Sequence, residues 1–374
     1  MEKRLLIAAF LSLGVLLLWE WVGPKARRTP ATAPALPTPG AAVLPTPGVP
    51  VPTPEAAAIA ERIAGTSEGL TTLENSVARA TFSNRGAVLT SYVLKKHFDD
   101  QRRPLELVRA GIDPSKRPLA LLFDANPGLT SAAANALFAV EPAGDDGDRL
   151  LRFRYADEKV SVTKEVRFGD GYLFDVKVSV TGPAYTLLAG TGLRNPTPQE
   201  LESRYVMPST AVATAGRGLE VMPAPKLKGE QTLPLPPNGF VGIEDNYFLA
   251  ALVTRQPATA RIFPVTVSSS ATAGAAATPT GSKGDILVSA GLSASGPLDL
   301  KAFFGPKDVE ILEKTGLGLE RTVNFGWYGI LARPLLWLLK KAYSWTGNYG
   351  AAILLVTLLI RILLFPLMHK SYAS

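Results

Sequence analysis

Arg361 stands inside an apolar segment of 18 residues, 351–368, whose only other interruptions are Thr357 and Pro366. Placing an arginine within membrane hydrocarbon costs about 2.5 to 3.5 kcal/mol, so such residues usually face a wet cavity. A fixed cation there would attract acidic or polar parts of a passing polypeptide, because Coulomb attraction strengthens as the effective dielectric constant falls. The alternative is a side chain that reaches the membrane surface, since Arg361 lies only about 10 Å of helix from residue 368.

The segment before it, residues 321–346, has the composition of a helix at a membrane surface. It carries three tryptophans and no acidic residue. A helix of this kind, interrupted near Pro334, would put its apolar side at the acyl boundary and its cations toward the lipid headgroups. A helix docked on the preceding domain is the alternative. The predicted interface residues are Trp327, Arg333, Trp337, Lys340, Lys341 and Trp345.

Residues that could support catalysis or bind a metal are few in the remaining chain. The sequence has no cysteine and only two histidines, His97 and His369, which excludes a thiol nucleophile and Cys-ligated zinc and makes a His-dependent triad improbable. The adjacent acids Glu244 and Asp245 would face opposite sides of a strand, and we expect a structural turn there. His97 could act as a base, although an ordinary surface histidine is the simpler interpretation. Residues 281–284 lack the spacing of a phosphate-binding loop, so we expect no catalytic site, metal or cofactor.

The first 60 residues predict a membrane anchor and a linker. Residues 1–4 are basic, and residues 5–22 are long enough for about 27 Å of helix, which matches a bilayer core. We expect an uncleaved anchor, because no small-x-small cleavage motif follows and Trp19 and Trp21 fit an interfacial aromatic belt. A cleaved signal peptide is the alternative. Residues 23–60 contain ten prolines, which predicts an extended linker.

Residues 61–320 predict a large β domain. In residues 172–180, alternate positions from Phe174 to Val180 are apolar and the positions between them are polar, as in a half-buried strand. Many short strands separated by Gly, Pro and Asn are typical of an antiparallel sandwich. A flexible surface loop is predicted at residues 268–284. Residues 151–155 and 159–168 would form a meander of three strands with residues 172–180. Residues 77–82 would pair with residues 87–94 as a hairpin.

The net charge of +7 is distributed unevenly along the chain. It is +2 in residues 1–60, −1 in residues 61–320 and +6 in residues 321–374, so a basic nucleic-acid-binding face on the β domain is not expected. Spans at residues 5–22 and 349–368 would place both termini on one side of a membrane. The flanking Lys and Arg residues do not decide which side. The linker favours export of the β domain, which leaves residues 1–4 and 369–374 in the cytoplasm.

Segments along the chain, among them FSNRGA at 82–87, GIEDNYF at 242–248 and TLLIR at 357–361, resemble the YidC family of bacterial membrane protein insertases. The resemblance covers essentially the whole chain, although the linker and much of the β domain match only in pattern. It is most specific near the C-terminus. The matching segments are residues 1–19, FSNRGA at 82–87, GIEDNYF at 242–248, FFGPK at 303–307, NFGW at 324–327, GNYG at 347–350, TLLIR at 357–361 and FPL at 365–367.

The resemblance implies a mainly β periplasmic supersandwich similar to galactose mutarotase, followed by an interfacial helix and a transmembrane helix in the bacterial inner membrane. Arg361 matches the family's groove arginine, which is thought to receive polar parts of a substrate while its apolar segment moves into lipid. The implied partners are nascent membrane proteins, the Sec translocon with its accessory components, and the lipid bilayer. No nucleotide, metal or other cofactor and no enzymatic activity is implied, and nucleic acid enters only as ribosome contact in the full-length parent.

The sequence departs from the family at its end. Family members continue after a motif like residues 370–372 into a helical hairpin and four further spans, whereas this sequence stops at Ser374. We therefore expect an N-terminal portion, which would not enclose a groove by itself. Two alternatives are a membrane-tethered domain that binds or isomerises sugars, and a two-span scaffold whose β domain docks partners.

Overall fold

The computed structural model describes residues 62–142, 149–197, 200, 208–216, 218–267, 285–323 and 329–372. The predicted first span at 5–22, the linker at 23–60, the loop at 268–284 and Trp327 lie outside these residues. The chain divides into two units, residues 1–55 and 56–374. Everything described below belongs to the second unit.

The described residues of the second unit contain eighteen strands, and every pairing between them is antiparallel. The strands are β1 (Leu70–Glu74), β2 (Ala78–Ser83), β3 (Val88–Phe98), β4 (Pro104–Glu106), β5 (Leu121–Leu122), β6 (Ala139–Pro142), β7 (Leu150–Ala156), β8 (Ser161–Phe168), β9 (Leu173–Thr181), β10 (Tyr185–Thr191), β11 (Thr210–Ala215), β12 (Gly218–Pro223), β13 (Gln231–Leu235), β14 (Phe240–Glu244), β15 (Phe248–Thr254), β16 (Ala258–Val267), β17 (Asp285–Ala294) and β18 (Leu298–Pro306).

Four α-helices and three short 3₁₀ turns accompany the strands in the described residues. The helices are α1 (Pro127–Asn135), α2 (Val309–Lys314), α3 (Gly329–Thr346) and α4 (Tyr349–Tyr372), and the 3₁₀ turns are Pro114–Lys116, Ala224–Lys226 and Leu319–Thr322.

The strands form three sheets around one apolar core. The first sheet has the order β1-β2-β3-β4, the second β13-β16-β17-β10-β5, and the third β12-β11-β14-β15-β18-β9-β8-β7-β6. The first sheet packs on the β7-β8-β9-β18 side of the third, where the Tyr92 ring lies 5.4 Å from Phe304 and 6.2 Å from Phe174. The second sheet packs on β11, β14 and β15. A mainly β sandwich is therefore confirmed.

The predicted meander and hairpin are also confirmed. Strands β7, β8 and β9 pair in sequence order, and in β9 the apolar residues from Phe174 to Val180 are buried while the residues between them are not. Strand β2 pairs with β3 through residues 78–83 and 88–94. The turn between them has positive φ at Gly86 (72°) and Ala87 (49°). Period-two alternation located these strands because each has one face on the core and one toward solvent.

Strands β10 and β15 have a different pattern, because every residue in both strands is buried. Their sequences, YTLLAGT and FLAALVT, are apolar without alternation. A strand covered on both faces has no reason to alternate. Period two therefore gives no signal for the strands at the centre of this molecule.

Helix α3 differs from expectation at Pro334. Helix α3 continues through Pro334 without a break, although an interruption was predicted there. Proline removes one backbone hydrogen bond near the start of this helix of 18 residues, and the remaining turns keep their bonds. Helix α4 contains the whole predicted span 349–368 and continues to Tyr372. No helix within the described residues reaches the combination of length and hydropathy required of a candidate membrane span.

Candidate functional site

Helices α3 and α4 form a hairpin with a connection of two residues, Gly347 and Asn348. Gly347 adopts a φ of 64°, a left-handed conformation that glycine accepts without strain. The side-chain oxygen of Asn348 accepts hydrogen bonds from the backbone N–H groups of Gly350 (2.8 Å) and Ala351 (3.4 Å), which caps the start of α4. This tight connection fixes the position of α4 relative to α3.

Small and apolar residues fill the contact between the two helices. Ala342, Ala352 and Val356 are buried, and Leu338, Leu339 and Ile360 pack around them. Near the turn, the rings of Tyr343 and Tyr349 stack with centroids 4.0 Å apart. Residues 352, 356 and 360 recur every four positions, so a single face of α4 is turned toward α3.

Arg361 lies on a different face of α4. At about 100° per residue, its position is about 140° away from the centre of the face formed by Ala352, Val356 and Ile360. Arg361 is exposed, and Thr357, one turn earlier on the same face, donates a hydrogen bond to the Ile353 carbonyl at 2.7 Å. Helix α3 therefore does not cover the side of α4 that carries the arginine.

The remainder of α4 exposes large apolar side chains. Leu354 is 73% exposed and Leu363 is 71% exposed, values typical of polar surface residues. An apolar surface of this extent marks contact with lipid or with other protein. Other large apolar residues exposed on this helix are Ile353, Leu355, Leu358, Leu359, Ile362, Leu364 and Phe365.

Helix α3 carries the predicted interface residues on two sides. Trp337, Lys341 and Trp345 are spaced four apart and form one exposed stripe, with the Lys341 ammonium 5.9 Å from the centre of the Trp345 ring. Lys340 lies off this stripe, and its ammonium is 3.2 Å from a carboxylate oxygen of Glu310 in α2. Arg333 is a residue of α3.

Two of the sequence motifs meet in the β sandwich. GIEDNYF begins within β14 and FFGPK ends just after β18; Phe248 faces Pro306 across the β15–β18 pair. The ammonium of Lys307 lies 2.9 Å from the Glu244 carboxylate, and the two side chains are only 10% and 4% exposed. Glycine is required at 242, since a Cβ there would collide with the Ala250 carbonyl. These motifs therefore build the junction of three strands.

Asp245 forms the predicted turn and a second buried ion pair. Its carboxylate accepts hydrogen bonds from the N–H groups of Tyr247 (2.8 Å) and Phe248 (2.7 Å) and from the Arg194 guanidinium. Arg194 also donates two hydrogen bonds of 2.7 Å to Glu200, which lower the pKa of that carboxyl group. The interpretation of Glu244 and Asp245 as a structural turn is confirmed. The long-range ion pairs gave no sequence signal.

His97 is a half-buried residue of β3 and differs from an open surface histidine. Its ring packs edge-to-face on Phe248 at 5.7 Å and on Tyr172 at 6.4 Å, and burial lowers its pKa. Its Nδ1 atom has no hydrogen-bond partner among the described residues. Across the same part of the chain, no group of three or more acidic residues and histidines could hold a metal ion.

The FSNRGA motif also has a structural role. The Asn84 side chain accepts a hydrogen bond from the Gly69 N–H (2.8 Å) and donates to the carbonyls of Ser67 (2.8 Å) and Phe138 (3.2 Å). These contacts join the β2–β3 turn to segments 15, 17 and 54 residues away. The Asn84 amide thereby serves as the hydrogen-bond partner of three backbone groups.

An open groove of about 720 Å³ lies between residues 99–106 and 195–197. Three acidic residues line it, and two of them, Asp99 and Glu106, accept local hydrogen bonds. Asp99 accepts from the backbone N–H groups of Gln101 and Arg103, and Glu106 accepts from those of Tyr92 and Val108.

Comparison with known proteins gives a family match over most of the chain. A family model described as the YidC periplasmic domain matches residues 70–338. The membrane protein insertase YidC of Geobacter metallireducens is 30% identical over 413 residues, covering 100% of this chain and 70% of the relative. That of Nitratidesulfovibrio vulgaris strain DP4 is 29% identical over 385 residues, with coverages of 100% and 69%.

Solved structures with a similar chain trace include insertases and sugar epimerases. The crystal structure of YidC from Thermotoga maritima has a TM-score of 0.31 and 16% identity, and covers 82% of this chain and 72% of that chain. A putative aldose 1-epimerase from Escherichia coli K12 has a TM-score of 0.42 and 12% identity, with coverages of 64% and 100%.

Proposed function

Because this chain belongs to the YidC family of membrane protein insertases, we propose that it helps apolar segments of newly made membrane proteins to enter the lipid bilayer. Helices α3 and α4 form part of the path, and the β sandwich stands outside it. The chain spans about 70% of the relatives' length. The complete path includes whatever covers the Arg361 face of α4 in the natural protein.

The observation that carries this proposal is the position of Arg361. It is the one ionisable residue of segment 351–368, it is exposed, and it lies on a face turned away from α3. A cation on such a face is stable in a membrane when water or polar protein groups surround it. A hydrated recess of this kind can receive the acidic or polar part of a client while the apolar part moves into lipid.

The membrane topology belongs to the same proposal. Segments 5–22 and 351–368 each supply 18 residues, or about 27 Å of helix, which suits a bilayer core. The exposed leucines of α4 support lipid contact for the second segment. The protein lies in the bacterial inner membrane with the β sandwich in the periplasm and with both termini in the cytoplasm.

Helix α3 lies along the periplasmic membrane surface in this arrangement. The stripe of Trp337, Lys341 and Trp345 supports this placement, since aromatic rings and cations are favoured together at the headgroup level. Lys340 is shared between the headgroups and Glu310, to which it is paired in the structure. Trp327 and Arg333 are included among the interface residues on the sequence alone.

The partners are nascent membrane proteins and, for clients that use it, the Sec translocon with its accessory components. We expect no enzymatic activity and no cofactor. Three ionisable groups of the sandwich, Glu244, Asp245 and Arg194, support this expectation, because they are engaged in ion pairs within the fold. A catalytic acid or base needs a proton that a substrate can reach.

The test replaces Arg361 with Ala and with Lys in the natural protein that carries this chain, and follows insertion of a client with an acidic translocated tail. An ion pair at 4 Å and an effective dielectric constant of 20 is worth about 4 kcal/mol, so Arg361→Ala should slow insertion more than tenfold. Arg361→Lys should retain part of the activity. Lys177→Ala, which removes an exposed charge from β9, is the control. Unchanged insertion in Arg361→Ala would remove the proposed role.

A further inference from the structure

Lys164 on β8 is a lysine within the core of the sandwich. Its side chain is 1% exposed, and its ammonium lies 5.7 Å from the centre of the Phe138 ring. Its three hydrogen-bond partners are the carbonyl oxygens of Gly86 (3.1 Å), Ala87 (3.0 Å) and Leu119 (2.7 Å). None of these partners is a carboxylate. A buried lysine without an acidic partner is unusual, because removal from water disfavours the charged form unless strong acceptors replace the water; burial lowers the pKa of Lys164 to about 7, so the ammonium form predominates below that pH.

The three carbonyls belong to backbone that is shaped in an uncommon way. Gly86, Ala87 and Leu119 have φ angles of 72°, 49° and 66°, so all three are in the left-handed region. For a residue with a side chain this conformation costs roughly 1 to 2 kcal/mol. Three left-handed residues therefore direct their carbonyls at one point, and three N–H donors of one ammonium meet them there.

The same point joins the three sheets. Gly86 and Ala87 form the turn that leads into β3 of the first sheet, Leu119 precedes β5 of the second, and Lys164 belongs to β8 of the third. The contacts connect residues 45 to 78 positions apart. Rings of backbone carbonyls are also the ligands by which proteins hold monovalent cations.

We propose that these three carbonyls form a binding site for a monovalent cation with N–H donors, which the chain fills with the ammonium of Lys164. The lysine side chain acts as a tethered primary alkylammonium ion. The bound ammonium links the three sheets, the role that a structural metal ion has in other proteins. It is independent of Arg361 and of the insertion path.

The test is chemical rescue of Lys164→Ala in the whole chain in detergent at pH 6. Propylammonium has the three carbon atoms and the ammonium that this substitution removes. Unfolding in urea is followed by the strand signal in circular dichroism, with increasing propylammonium chloride. At ten times the dissociation constant of the site, the ratio of folded to unfolded protein should rise about elevenfold, because the ion binds only the folded state.

Two controls separate the site from a general salt effect. Tetramethylammonium has the same charge but no N–H donor, so it should leave the ratio unchanged. Lys164→Met fills the same channel with an aliphatic side chain and should not respond to propylammonium. If Lys164→Ala does not fold without propylammonium, the measured quantity becomes the yield of folded protein after dilution from urea into propylammonium. Equal effects of the two cations, or no effect of either, would overturn the proposal.

Discussion

Replacing Lys307 with methionine tests whether the family motifs of the sandwich hold the fold together. The Lys307 ammonium lies 2.9 Å from Glu244, whose side chain is 4% exposed, and also donates to the Asp245 carbonyl at 3.3 Å. Lys307→Met keeps most of the aliphatic volume but leaves a buried carboxylate without its cation. Breaking one side of a buried ion pair destabilises by about 3 to 5 kcal/mol. That is a large share of the roughly 5 to 15 kcal/mol that stabilises a typical domain.

The loss should depend on pH in a defined direction. Burial raises the pKa of Glu244, and Lys307 acts against this increase. In Lys307→Met burial acts unopposed, so the pKa of Glu244 in the folded variant rises further above its value in the unfolded chain. A carboxyl group whose pKa is raised by folding favours the folded state at low pH, and this contribution is lost as pH rises through the folded pKa. The loss in the free energy of unfolding of Lys307→Met should therefore be small near pH 4.5 and reach its full value at pH 7.5.

The measurement is urea unfolding of the chain in detergent at both pH values, followed by circular dichroism of the strands. All five tryptophans lie outside the sandwich, so their fluorescence does not report its unfolding. Lys301→Met is the matched control on β18. Lys301 pairs with Asp175 at 3.1 Å, but both side chains are about one third exposed, and such a pair is worth at most about 1 kcal/mol. A loss in Lys307→Met no larger than in this control, or a loss equal at both pH values, would refute the reasoning.

Two further substitutions test other motif residues by thermal unfolding. Gly242→Ala forces a methyl group into the neighbouring strand backbone and should destabilise by about 1 to 3 kcal/mol or more. Gly218→Ala, at an edge strand, brings its methyl group no closer than 4.0 Å to another atom, an ordinary contact distance, and should change little. A comparable loss in both variants would contradict the packing argument. Asn84→Ala removes three hydrogen bonds and should destabilise by about 2 to 4 kcal/mol, while Asn135→Ala, which removes one exposed bond, should stay within about 1 kcal/mol. An Asn84→Ala variant as stable as the control would show that water replaces the amide.

The sequence predicts those parts of the fold in which local pattern and tertiary environment agree. The meander of β7, β8 and β9 was found because one face of each strand is buried. Strand β15 was not found by alternation, because both of its faces are covered. Its burial is decided by packing of distant segments, and period-two arguments do not contain that information.

The sequence likewise indicates some of the buried polar groups and not others. Lys164 occupies an inward position in the predicted strand 159–168, between Val162 and Val166, and this violation of the pattern was a usable signal. The ion pairs Arg194–Asp245 and Lys307–Glu244 gave no such signal, because their partners lie 51 and 63 positions apart in the sequence. The depth of Arg361 in a predicted span could be read directly from hydropathy. The face on which it lies could not, since the contact with α3 determines it.

The pairing of β9 with β18 has a consequence for how the chain acquires its fold. The centre of the third sheet joins residues 173–178 to residues 298–303. In a chain made from its N-terminus, β6 to β9 can pair as they emerge, but the free edge of β9 waits for β18. At about 5 to 20 residues per second, the 116 residues between β9 and β18 take on the order of 6 to 23 s to synthesise. During that interval an unprotected strand edge is open to wrong partners, and it can close only after the whole of β18, through Pro306, has been made.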